Sequence, residues 1–241
     1  MPNFPLQQHK VQLLDFACER YRVSSAVDVG GCWGVNGGYC FHVVDQHNLK
    51  EAYIVDGLIS KETIDQKGSR NVQLIQGDIG GHEFISSLPE LDMAIIYDIL
   101  LHQVGPNWDE FLKRYAKKVN HFAIYNQDWD GENTIRFVDY DCNWYLDNVL
   151  CVDNNEVIRW YKKHNEISNE LKRPWKDVHY FWQWGITAPE LIRHMENIGF
   201  QLDFFWNYGY FDLAKPKVEN HGYLFSRRGL YKGIRIYPDK T

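Results

Sequence analysis

Apolar residues along this chain follow two rhythms. Five short runs, at residues 26–29, 52–55, 72–75, 93–96 and 122–125, are apolar almost without interruption. Runs this short and continuous predict strands covered on both faces, as in a parallel sheet. Between them the period lengthens to that of a helix. Val11, Leu14, Cys18 and Tyr21 share one face of a predicted helix ahead of the first strand. After the fourth strand Trp108, Phe111, Leu112, Tyr115 and Val119 form an apolar stripe, with Asn107 as N-cap and Glu110 three residues on. A short helix is expected over 60–67. Another opens at Thr187, where Glu190 completes a capping-box pattern, and ends at Gly199. Strands and helices in alternation predict an α/β fold, a Rossmann-like parallel sheet with helices on both faces. Two final strands, 200–206 and 222–226, are expected to form an antiparallel pair at the sheet edge.

The rhythm breaks over about 128–184, an insertion after the fifth strand. It is too apolar for a linker and predicts a folded lid, with a turn at Asp130-Gly131 and Val157, Trp160, Tyr161, His164 and Leu171 in helical step. One domain, 1–241, is expected: an N-terminal helix (1–24), a core (25–127), the insertion (128–184), and a C-terminal helix with the strand pair (185–241). Seven of the nine tryptophans fall at Trp129 or later, so the aromatic material is concentrated in the insertion and the C-terminal elements. Packing explains most of these rings, and the sharper reading makes some of them the wall of a ligand pocket.

A hydrophobic content of 44% suffices for a core, and a net charge of −6 argues against a nucleic-acid surface, which needs a basic face. The densest basic cluster, Lys113-Arg114 with Lys117-Lys118, reads as the solvated side of one helix. No run reaches the roughly 18 apolar residues of a membrane span, and the first residues lack a secretory pattern, so a cytoplasmic location without membrane partners is expected. The five cysteines, Cys18, Cys32, Cys40, Cys142 and Cys151, are scattered without a CxxC, which suggests neither a disulfide framework nor a zinc site. No metal-ligand spacing stands out.

Candidate chemistry begins where the first strand stops. Residues 30–38 hold five glycines, and such a strand-to-helix turn leaves free N–H groups at a helix N-terminus and lets a ligand approach the main chain. The run Val27-Asp28-Val29-Gly30-Gly31-Cys32-Trp33-Gly34 resembles the first motif of the class I S-adenosylmethionine-dependent methyltransferases. Asp56, ending the second strand, is similar to the acid that bonds the ribose hydroxyls in that family. Asp78 with Ile79 resembles the pair that holds the adenine, and the run from Asp92 through Asp98 to His102 resembles the fourth motif. The resemblance covers about three quarters of the chain and fails over the insertion. It implies the class I methyltransferase fold and S-adenosyl-L-methionine as cofactor. It also implies cofactor contacts from Asp28, Gly30, Gly31, Cys32, Gly34, Asp56, Gly57, Asp78, Ile79 and Tyr97. Cys32 departs from the family, standing where a glycine is common, and Trp33 beside it is bulky.

The same residues make chemical sense on their own. An adenosyl ligand needs close main-chain approach, an acid for the vicinal hydroxyls and a polar contact for the adenine amine. The turn, Asp56 and Asp78 supply these at successive strand ends. A dinucleotide is the nearest rival ligand, although Cys32 occupies the middle glycine of GxGxxG. A non-catalytic adenosyl-binding scaffold of the same fold is a further alternative.

For methyl transfer, His102 just past the fourth strand is the first base candidate, His179 in the insertion the second, and Asp98 a residue facing cofactor or substrate. Asp128 is a weaker candidate. Arg136, Arg159 and Arg173 could meet a phosphate or carboxylate. The acceptor is expected to be a small polar molecule methylated at oxygen, such as a sugar, nucleotide-sugar or phosphate-bearing metabolite, while the oligomeric state stays open.

Overall fold

The computed structural model describes residues 4–149, 154–169, 172–178, 182–211 and 218–230. Helix α1 (Gln8–Tyr21) precedes strand β1 (Ser25–Val29), and α2 (Gly38–His47), β2 (Glu51–Asp56), α3 (Lys61–Lys67), β3 (Val72–Gln76), α4 (His82–Ser87) and β4 (Leu91–Tyr97) follow in strict alternation. The chain continues with α5 (Trp108–Tyr115) and the long strand β5 (Val119–Trp129). The insertion contributes β6 (Ile135–Arg136), α6 (Cys142–Asn148), α7 (Asn154–Tyr161) and β7 (Trp184–Gly185). Helix α8 (Ala188–Asn197) and strands β8 (Phe200–Tyr210) and β9 (Val218–Arg227) close the described fold.

Seven strands form one sheet in the order β3-β2-β1-β4-β5-β9-β8. β1 to β5 pair in parallel, whereas β9 runs antiparallel to both β5 and β8. The final pair is thus antiparallel as expected, with the last strand wedged inside and the earlier one, β8, at the edge. Strand order reverses between β1 and β4, and in open parallel sheets ligands bind beyond the strand ends at such a reversal.

Both faces are covered. On one, Val27, Ala94, Ile96, Phe122, Ile124, Tyr223 and Phe225 pack against Ile85 of α4, Phe111 and Tyr115 of α5, and Leu191 and Met195 of α8. On the other, Ala26, Met93, Ile95, Ala123 and Leu224 meet Leu14, Ala17 and Cys18 of α1 with Tyr39 and Val43 of α2. This division follows from strand geometry, since alternate residues of one strand face opposite sides.

Two expected helix caps take another form. Asn107 and Thr187 occupy the N-cap positions with no side-chain cap bond. Glu190 instead accepts from the Thr134 N–H (3.2 Å), and the Thr187 N–H donates to Thr134 Oγ1 (3.0 Å). The groups expected to close the α8 cap tie that helix to the insertion. Likewise Val157, Trp160 and Tyr161 lie on α7, which ends at Tyr161, before His164; Leu171 lies outside the described residues.

The insertion has its own apolar cluster, Phe137, Val138, Tyr145, Val149, Val157, Trp160, Tyr161 and Trp182, joined by Leu101 after β4 and Val218 of β9. It is stitched to the loop after β4: the Gln183 N–H donates to the Leu101 carbonyl (2.9 Å), and Trp184 Nε1 to the Gln103 carbonyl (2.8 Å). Among the described residues no helix is long and apolar enough to cross a membrane.

Candidate functional site

The turn after β1 is shaped by close approach. Gly30 has φ +72°, and a Cβ there would stand 2.2 Å from Ile99 Cδ1. At Gly31 a Cβ would stand 2.3 Å from Asp28 Oδ2, and Gly34 and Gly37 also have positive φ, at +77° and +81°. Glycine is required here because the backbone is left-handed and the neighbouring side chains leave no volume for a methyl. The turn ends at the N-terminus of α2, where the first N–H groups of a helix lack helical partners.

Three carboxylates stand at the strand ends around it. Asp28 is 2% exposed, and its Oδ2 has no hydrogen-bond partner. Burial and the nearby Asp56 push its carboxyl up to about 7, with the Cys40 N–H acting in the other direction. Asp56, at the end of β2, accepts from the Cys32 N–H (2.9 Å) and the Leu58 N–H (3.0 Å), so one carboxylate clamps the glycine turn to the loop that follows its own strand. Gly57 is exposed, with open space where a Cβ would stand.

Asp78 lies exposed beyond β3 and accepts from the Gly80 N–H (3.1 Å). Its loop is anchored from α5, where Tyr115 donates to the Ile79 carbonyl (2.9 Å) and Arg114 to the Gly80 carbonyl (2.7 Å). Lys118 similarly donates to the Ser86 and Leu88 carbonyls. The basic cluster is therefore only partly a solvated face: Arg114 holds the main chain of the Asp78 loop, and Lys118 holds the main chain at the end of α4, ahead of β4. Ile79 packs on the core from that loop.

After β4 the chain turns at Asp98, whose φ is +57°. Asp98 forms an ion pair with Lys10 of α1 and accepts from Gln127 Nε2 (2.7 Å) of β5. Lys10 is 4% exposed, its ammonium lies 4.4 Å from the centre of the Tyr125 ring, and its carbonyl accepts from the Tyr97 hydroxyl (3.1 Å). Tyr97 is thus buried under α1 with its hydroxyl committed to main chain. His102 is half-buried at the end of a short 3-10 turn, Leu100–His102, beside the loop that receives the insertion. His179 lies outside the described residues.

The weak candidate Asp128 is at the centre of a buried cluster. Its Oδ2 meets His221 Nδ1 (2.7 Å) and accepts from the Tyr223 hydroxyl, and its Oδ1 accepts from Asn126 Nδ2 (2.7 Å). His221 Nε2 lies 3.2 Å from Glu219 Oε2. The proximity of Asp128 helps keep the Tyr223 phenol protonated, though burial is the larger cause. Sequence reading missed Lys10 and His221. Lys10 looks like an ordinary helix lysine, and only its place on the buried face of α1 among Val11, Leu13 and Leu14 could have flagged it. His221 meets Asp128 through the β5–β9 register, where Asn126 pairs with His221 and Asp128 with Glu219, and no local pattern announces that.

Of the insertion arginines, Arg136 bonds Asp177 (2.8 Å) and the Lys176 carbonyl (2.7 Å), which ties the insertion together. Arg159 is exposed, and Arg173 is half-buried near Gly105. Trp33 is 70% exposed, with the Phe4 ring 6.3 Å away.

No protein-family model and no curated protein matches this chain. Solved structures do. The N-terminal domain of EvdMO1, crystallised in the presence of S-adenosylhomocysteine and D-fucose, superposes with a TM-score of 0.59 at 13% identity, covering 93% of this chain and 85% of that one. The N-methyltransferase NodS from Bradyrhizobium japonicum WM9, in complex with S-adenosylhomocysteine, gives 0.55 at 11% identity over 92% and 86%. The mitomycin 7-O-methyltransferase MmcR gives 0.54 at 13% identity over 91% of this chain, which spans about half (53%) of MmcR. The fold is that of the class I methyltransferases, a mostly parallel sheet with a reversed last strand.

Proposed function

We propose that this protein is an S-adenosylmethionine-dependent methyltransferase acting on a small polar acceptor, with oxygen as the atom methylated. The observation that carries the reading is the convergence at the strand-order reversal of a glycine turn without room for a Cβ, Asp56 bonded to that turn, and Asp78 on a loop anchored by α5. The buried, unpartnered Oδ2 of Asp28 fits such a ligand, because an unsatisfied buried carboxylate oxygen is costly unless something polar reaches it.

When bound, the cofactor supplies an electrophilic methyl on a positively charged sulfur. The chain's own task is to align an acceptor with that carbon and exclude water. Asp56 and Asp78 are placed for the ribose hydroxyls and the adenine edge, and the turn from Gly30 to Gly34 for main-chain approach. Cys32 contributes its N–H to Asp56, so its side chain need not mimic glycine. Ile79 would line the adenine, and Gly57 leaves the ribose edge open. His102 is the base assigned to the acceptor hydroxyl, and Asp98, held by Lys10 and Gln127, is the acid assigned to face cofactor or substrate. The insertion, stitched to the loop that carries His102, forms the far wall of the acceptor space. The presence of D-fucose with EvdMO1 supports a sugar-like acceptor, and NodS is the reason nitrogen acceptors belong in the same screen.

Calorimetry tests the reading. S-adenosylhomocysteine is expected to bind the purified protein at one equivalent, with Asp56→Ala weakening it at least about tenfold, the effect of losing one charged hydrogen bond. Absence of binding, or NADH binding in its place, overturns the reading. Binding without turnover on a panel of sugars, nucleotide-sugars and amines would leave the scaffold alternative standing.

A further inference from the structure

Away from the crevice, α1 and α2 meet through three side chains that the methyl-transfer reading does not use. His42 Nε2 lies 2.7 Å and His47 Nε2 2.8 Å from the same oxygen, Oδ1 of Asp15. All three groups are half-buried, with side-chain exposures of 20% for His42, 17% for His47 and 35% for Asp15. The three ligand atoms lie within 4.8 Å of one another, the only such group of histidine, cysteine or acidic side chains found among the described residues.

Helix geometry explains why the spacing hides this. His42 and His47 are five residues apart on α2, and five helical steps put two side chains on different faces. His47 is the last helical residue, and Asn48 after it turns left-handed at φ +53°, so His47 can fold back to the oxygen that His42 reaches. Asp15 comes from α1, so no linear pattern contains the set.

We infer that Asp15, His42 and His47 form a binding site for a divalent transition-metal ion, zinc in the first instance, that clamps α1 to α2. Two imidazole nitrogens and one carboxylate oxygen are a ligand set that zinc accepts, with a fourth position left for water. At zinc–nitrogen and zinc–oxygen distances near 2.0–2.2 Å, tetrahedral ligand atoms stand roughly 3.4 Å apart. The nitrogen–oxygen separations here need to open by only about 0.6 Å to admit the ion. On binding, each imidazole takes the tautomer with its proton on Nδ1 and gives Nε2 to the metal, with Asp15 coordinating as the carboxylate. Partial exposure of all three groups lets water complete the shell. His42 also lines an open groove of about 480 Å³ with Phe41, Asp45 and Arg70, which gives the ion a path in. The clamp would hold α1, and with it Lys10, against the helix that begins at the glycine turn.

The test uses the full chain, stripped with chelator and dialysed, and titrated with zinc chloride alone. One equivalent is expected to bind with a Kd below about 1 μM. At a hundredfold excess over Kd the melting temperature should rise by roughly 5–10 °C. Cobalt in place of zinc should give the visible absorption of a tetrahedral site. Asp15→Asn and the double change His42→Gln, His47→Gln should each weaken zinc at least a hundredfold, while S-adenosylhomocysteine affinity and the metal-free melting temperature of the histidine pair stay close to those of the parent. Replacement of an exposed histidine, His82→Gln, should change nothing. Failure to saturate at one equivalent, zinc binding that survives the double histidine change, or equal loss on His82→Gln would each overturn the site. None of these results depends on the cofactor reading, because zinc binding and S-adenosylhomocysteine binding are measured separately.

Discussion

Asp28 is held inside the sheet, next to another acid, with one oxygen unpartnered. Its carboxyl, raised to about 7 from the usual aspartate value of 3.8, keeps a proton in the native protein over a range in which the unfolded chain has lost it. Stability contributed by this group is therefore full below about pH 4 and declines as the pH rises through about 7. Asp28→Asn keeps the shape and removes the ionisation. The variant should gain on the parent as the pH is raised from 4 to 8, by about 1–4 kcal/mol at the upper end. Thermal melts of the two proteins along a pH series check this, the difference between the curves removing the contributions of every other titrating group. A difference that is flat with pH would contradict the assignment. Asp28 also illustrates what a motif leaves unsaid: its position at the end of an apolar run was legible, whereas its protonation follows from burial and from Asp56, which approaches only when β1 pairs with β2.

At the scale of elements, the glycine turn joins β1 to α2 through conformations and clearances that larger residues cannot adopt. Gly30→Ala would place a methyl in a left-handed backbone and against Ile99, from the loop after β4. It should cost more than about 1 kcal/mol, seen as a lower melting temperature, and should weaken S-adenosylhomocysteine as well. A variant as stable as the parent would contradict the packing of β1's turn against that loop. Element order was readable from hydrophobic period because β1, β2, β4 and β5 each bury a continuous apolar run, whatever they pack against. Caps were not. Thr187 and Glu190 have the capping-box spacing, yet they reach Thr134 of the insertion, a competing partner that no local pattern reveals. The short helix α4 and the two-residue strands β6 and β7 were equally silent, being too short to establish a period.

On the whole molecule, α1 lies across the far side of the sheet and drives a buried lysine onto Asp98 at the end of β4. Lys10→Met keeps the apolar stem and deletes the charge, leaving Asp98 with Gln127. Breaking a buried pair can cost 3–5 kcal/mol, but Asp98 is 41% exposed and water shares its charge, so about 1–2 kcal/mol is expected. Adding Asp98→Asn to Lys10→Met should recover part of that loss in a double-mutant cycle read by denaturant unfolding; strictly additive losses would show that the two side chains do not interact. By itself the amino-acid sequence determined the alternation of buried strands and amphipathic helices, the glycine turn, and the acids at the ends of β2 and β3, because each of these is encoded by residues adjacent along the chain. Tertiary structure alone decided that Lys10 meets Asp98, that Asp128 meets His221 and Tyr223 across β5 and β9, and that Asp15 meets His42 and His47 between two helices. Those partners lie 27 to 95 residues apart in sequence, and only the sheet register and the packing of α1 on α2 bring them together.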